Sequence, residues 1–87
     1  MDTALKLLAN DESELEVLKV KSRMMMIAVK HIKDMEITQT QAAKIVGVSQ
    51  PRISNLMNGQ LSKFTIDSLI VILHKLDLSI ELLVEEV

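Results

Sequence analysis

The stretch from Gln39 to Gly59, QTQAAKIVGVSQPRISNLMNG, constrains this chain more than any other part of it. It is punctuated as two short helices around a tight corner. Ala43 is small where two helix backbones must approach closely. Gly47 stands at the corner, where the first helix needs a left-handed C-cap that a Cβ would disfavour. Ser49 is placed to cap the second helix, and Pro51 falls in its first turn, where a missing N–H is no loss. Val46, Val48, Ile53 and Leu56 supply the apolar clamp between the two. This is a helix–turn–helix pattern, a unit whose second helix has the dimensions to lie in the major groove of DNA.

Eighty-seven residues make one domain, small enough that a dimer would help its stability. With one Phe and neither Trp nor Tyr, the core must be Leu, Ile, Val, Met and Ala, a set that favours helices. The absence of Cys excludes a disulfide framework and a Cys-based zinc site. No apolar run reaches the roughly 18 residues of a membrane span. The first residues, MDTALKLLANDESE, are acidic and lack a basic leader, so no signal peptide is expected and a cytoplasmic location is the simple reading.

The net charge of −2 argues at first against a nucleic-acid partner, but the charges are segregated. Residues 1–18 carry one Lys against five acids, and residues 64–87 again carry one Lys against five acids. Residues 19–63 carry eight Lys and Arg against only Asp34 and Glu36. The positive charge thus lies on the segment that holds the helix–turn–helix, as phosphate contact would require. A mixed soluble surface is the plainer alternative.

Along the chain, residues 1–12 read as a flexible arm. Asp11 or Ser13 is positioned to cap a long helix, with Glu14 and Glu16 near its positive end, and that helix should run to about Asp34. Leu18, Met25, Ala28 and Ile32 form one helical stripe, with Met24 and Met35 beside it. Met24, Met25 and Met26 cannot all face one way, so one should point outward. The second helix should span Thr38 to Val46 and the third Gln50 to Asn58, with Gly59 as its C-cap. After a loop at residues 60–64, Thr65 caps a fourth helix, whose Ile66, Leu69, Ile70, Leu73 and Leu76 are expected in the core. Asp77 breaks it. Residues 13–77 then form the domain proper. In the tail, Ile80, Leu82 and Val84 alternate with Glu81, Leu83 and Glu85, a strand period. A lone strand leaves its backbone groups unpaired. The economical solution is the same strand from a second copy, antiparallel across a two-fold axis, which makes residues 78–87 a dimerisation element. A continued or fifth helix is the alternative.

At Ile37 to Gly59 the chain resembles, without gaps, the phage-repressor and Cro-like regulators known as the XRE family. The following segment, FTIDSLIVILHKLDLSIELLVEE, is similar to the branch that includes HigA-type antitoxins, and with it the resemblance covers residues 18–86. It implies a mostly α, compact repressor-like domain of four to five helices with a short C-terminal β-strand. It also implies roles. Gln39 should bond a phosphate at the N-terminus of the second helix, with Thr38 or Thr40 able to do the same. Gln50 and Arg52 should reach base edges, Gln suiting adenine and Arg guanine, with Asn55 a turn further on as a base or phosphate contact. Ser49 and Ser54 would touch phosphates, and Asn58 and Lys63 would hold the backbone on the far side. Two departures stand out. Pro51 replaces a polar base reader and can touch only by shape. Ile32 and Met57 occupy the places where some phage repressors bury an Arg–Glu pair, an apolar exchange that keeps volume without burying charge.

His31 and His74 are isolated and make no metal site, and no catalytic set or cofactor motif is present, so no enzyme is expected. The expected function is that of a homodimeric, sequence-specific repressor on a near-palindromic double-stranded operator. Its expected setting is that of an antitoxin paired with a small basic toxin, which the acidic arm is suited to meet. The alternatives are a stand-alone regulator, and a protein-interaction module that has kept the fold without binding DNA.

Overall fold

The computed structural model describes Leu5 and residues 11–87. The elements run α1 (Glu12–Asp34), α2 (Gln39–Val46), α3 (Gln50–Met57), a 3-10 turn (Leu61–Lys63) and α4 (Ile66–Lys75). The proposed arm, residues 1–12, lies almost entirely outside the described residues, apart from Leu5, which is buried, and Asp11 and Glu12, which begin α1.

Each helix starts where a side chain can replace a missing backbone acceptor. The Asp11 carboxylate accepts the N–H of Glu14 at 2.7 Å, and Glu12 and Glu14 set negative charge against the positive end of α1. Thr38 and Gln41 close a reciprocal capping box on α2, and Thr65 and Ser68 close another on α4. Ser49 accepts the N–H of Arg52 at the start of α3.

The corner between α2 and α3 turns on Gly47, at φ 78° and ψ 35°. Around it the N–H of Val48 reaches back to the Ala43 carbonyl at 3.0 Å, so the last turn of α2 is closed as the chain reverses. Gly59, at φ 71°, does the same for α3, with Gln60 N–H donating to the Asn55 carbonyl at 3.1 Å. Any L side chain is strained at these angles, even though neither glycine has a neighbour that a Cβ would strike.

The core is wholly apolar among the described residues. Leu18, Met25, Ala28 and Ile32 of α1 are buried, as the stripe predicts, while Met26 points outward and is 59% exposed. Met35 lies at the margin, beyond the helix end. Ala42, Ala43 and Val46 of α2 meet Ile53 and Leu56 of α3, and Phe64 and α4 close the cluster. Helix α1 packs chiefly on α4, and α2 on α3. Ile32 is buried in this cluster and Met57 packs partly against it, so the place of an ion pair is filled by hydrocarbon.

Two expectations differ from the structure. In α4 the buried set is Leu69, Ile72, Leu73 and Leu76. Ile72 replaces Ile70, which is 43% exposed, and Ile66 is only half-buried. The observed spacing is i, i+3, i+4, i+7, the narrow stripe of a helix facing one neighbour. Residues 78–87 form no strand among the described residues. Leu78 rests against the core, and beyond it Leu82, Leu83 and Val84 are each about four-fifths exposed.

Candidate nucleic-acid interface

The Gly47 corner joins α2 to α3, and the two helices pack on each other, each beginning with an exposed first turn. Thr38, Gln39 and Thr40 are exposed at the start of α2, and Ser49, Gln50 and Pro51 at the start of α3. The first-turn N–H groups of both helices, beyond those taken by the caps, have no intrahelical acceptors. Each end is therefore electropositive. Neither first turn contains an acid, and no carboxylate occurs between Glu36 and Asp67. Lys44, Arg52 and Lys63 are the charged residues of that interval.

The caps leave usable chemistry on this side. The hydroxyls of Thr38 and Ser49 accept backbone N–H groups at 3.1 and 3.2 Å, which leaves the hydroxyl protons free to be donated outward. Gln41, exposed, is occupied by the capping box, its Oε1 accepting from Thr38 N–H at 2.9 Å.

Along α3, Ile53 and Leu56 face inward, and Ser54 and Asn55 are half-buried on the outer flank. Gln50 and Asn55 have side-chain amides without a hydrogen-bonded partner among the described residues. Ser54 and Asn58 lie one turn apart, with Asn58 Nδ2 at 3.4 Å from Ser54 Oγ, a long contact that leaves both accessible to another partner. Lys63 is exposed at the end of the 3-10 turn, beyond the C-terminus of α3.

Arg52 behaves differently from the other candidates. Its guanidinium lies 4.2 Å above the centroid of the Phe64 ring. One terminal nitrogen donates to the Lys63 carbonyl at 2.8 Å. A contact with a base edge would need the side chain extended, and it is instead folded along the domain, half-buried. Sequence reasoning missed this contact. The available signal was the pairing of the chain's one Phe with a cation at the first turn of the neighbouring helix.

Outside this side, Lys30 and Asp34 form an exposed pair at 2.8 Å, and their mutual hydrogen bond and charge raise the lysine pKa and lower the carboxyl one. Among the described residues no group of His, Asp and Glu is arranged to hold a metal ion, and no helix is long and apolar enough to cross a membrane.

Comparison with known proteins agrees with this geometry. In the solved structures, a protein assigned provisionally to the XRE family of transcriptional regulators superposes with a TM-score of 0.77 and 28% identity, over 82% of this chain and 80% of its own. No curated protein matches the chain. The model of a family described as a helix-turn-helix domain matches residues 7–85, nearly the whole length, and the chain belongs to that helix-turn-helix family.

Proposed function

We propose that this protein is a DNA-binding transcriptional regulator, and more specifically a sequence-specific repressor that acts as a homodimer. The observation that carries the reading is the exposed start of α3, where Gln50 stands free beside two electropositive helix ends on a stretch without carboxylates. In a major groove, Gln50 is suited to the N6 and N7 of adenine, and Asn55 to a second base or a phosphate. Thr38, Gln39, Thr40 and Ser49 would hold one strand's phosphates through hydroxyl, amide and helix-end N–H groups. Ser54, Asn58 and Lys63 would hold the backbone further along. Pro51 would meet the groove by shape alone.

The tail supports the homodimer. Ile80, Leu82 and Val84 leave apolar side chains and unpaired backbone in water, Ile80 and Leu82 lining a groove with exposed Val20 and Ile27 of α1. A second copy's tail, running antiparallel, would pair the backbone and cover those side chains. Two recognition helices would then address successive major grooves about 34 Å apart on a near-palindromic operator. The resemblance to HigA-type proteins supports an antitoxin that represses the promoter it shares with a small basic toxin, the acids between Asp2 and Glu16 offering the complementary charge.

The test is a fluorescence anisotropy titration against DNA from upstream of this gene and against random duplex, at two salt concentrations. Tight, selective, salt-sensitive binding is expected. Equal weak binding to both would favour a protein-interaction module, for which the acidic net charge speaks. Co-purification with the product of a neighbouring short basic reading frame would separate an antitoxin from a stand-alone regulator.

A further inference from the structure

We propose that Arg52 is a positioning residue, a latch that fixes Lys63 relative to the exposed face of α3, and not a reader of bases. The inference rests on the DNA-binding reading above. It starts from a carbonyl. In the 3-10 turn, the Gln60 carbonyl takes the N–H of Lys63 and the Leu61 carbonyl takes that of Phe64, while the Lys63 carbonyl is taken by the Arg52 guanidinium at 2.8 Å. Arg52 thus supplies the donor that the end of the turn lacks.

The same guanidinium lies over the ring of Phe64 at 4.2 Å, the favoured geometry between a cation and the negative face of an aromatic ring. Phe64 is otherwise enclosed in the core, with 2% of its surface exposed. To reach a base, the side chain would have to leave both partners at once, baring the ring and leaving a carbonyl unpaired. Meanwhile the Arg52 backbone N–H is held by Ser49. Arg52 therefore joins the first turn of α3, the cap before it and the turn beyond it into one block. Lys63, whose ammonium is suited to a phosphate, rides on that block at a set distance from Gln50.

The two roles for Arg52 separate in one set of measurements on the full chain. The first needs no DNA. Phe64 is the chain's only Phe, Trp or Tyr, so the Arg52 δ protons should show an upfield ring-current shift in the NMR spectrum, and Phe64→Leu should abolish it. An unshifted Arg52 in the wild-type protein overturns the proposal.

The second is anisotropy with Arg52→Gln, Phe64→Leu and the double variant, on the operator, on operators substituted at each base pair, and on random duplex. A latch predicts that Arg52→Gln weakens every duplex by a similar factor, with no base pair becoming permissive. It also predicts that the double variant loses little more than either single one, since both break the same contact. A loss on the order of tenfold confined to one base pair, additive with Phe64→Leu, marks a base reader and overturns the latch. Wild-type protein that distinguishes no duplex, with the upfield shift intact, overturns the DNA-binding reading and the positioning role with it, while leaving the contact established.

Discussion

The backbone N–H of Leu78 reaches over Asp77 to the Leu73 carbonyl at 3.0 Å, closing the last turn of α4. The closure places Asp77 at φ 64°, a left-handed angle that glycine takes freely and aspartate does not. Asp77→Gly should therefore stabilise the domain by about 0.5–1 kcal/mol, after allowance for the greater freedom of glycine in the unfolded chain. Urea denaturation would read the shift in midpoint at constant slope. A lower midpoint would mean that the aspartate side chain contributes more than its backbone strain removes.

At the other end of α4, hydrogen bonding from the Thr65 side chain, followed by backbone N–H groups of the first turn, holds the Asp67 carboxyl below its ordinary pKa. A carboxylate with a lowered folded-state pKa stabilises the fold above the ordinary carboxylate range, and that contribution is lost as pH falls through the folded value. Asp67→Asn should accordingly be less stable than the wild type near neutrality, and the gap should close below about pH 4. Thermal melts across that range would show it, and a gap that stays constant with pH would remove the ionised carboxylate as its cause.

Gln50 and Lys63 should fail in opposite ways if the proposed interface is right. Gln50→Ala should lose about 1–3 kcal/mol of discrimination at one adenine and leave random duplex unaffected. Lys63→Ala should weaken operator and random duplex alike and reduce the magnitude of the salt slope by about one. Competition titrations at several salt concentrations distinguish the two patterns. A Gln50→Ala variant that weakens all sequences equally would reassign that residue to the phosphates.

Removal of residues 79–87 should give a monomer in sedimentation, with the helical domain still folded, because the core ends at Leu76 and the contact of Leu78. Dimers that survive the truncation would move the interface to the exposed apolar residues of α1 and α4.

How much of this was legible beforehand depended on the range of the interaction. Caps and corners are local, so Ser49, Thr65, Gly47 and Gly59 could be placed from the order of residues alone, and Asp11 was one of two candidates beside Ser13, while Thr38, expected inside α2, is its cap. The buried stripe of α1 was legible because its other faces are polar. Helix α4 has apolar residues on several faces, and there Ile70 and Ile72 exchanged places, since periodicity alone does not say which apolar face meets α1. The Arg52–Phe64 contact spans a helix and a turn, so no local pattern announced it, and the resemblance implied a base reader at Arg52. The tail is the opposite case: its alternating pattern was plain, but a strand is defined by its neighbour, and within one chain none is offered.

No polar or charged side chain is buried among the described residues. An apolar interior fixes the helices by close packing, but it offers no directional bond that would set their angle by itself. The directional constraints on α3 are its joints: the Gly47 corner, the Ser49 cap and the Arg52 contact. Truncations in the interior should cost stability, about 2–5 kcal/mol for Leu or Ile to Ala, whereas variants at the joints should leave a folded protein that is aimed wrongly.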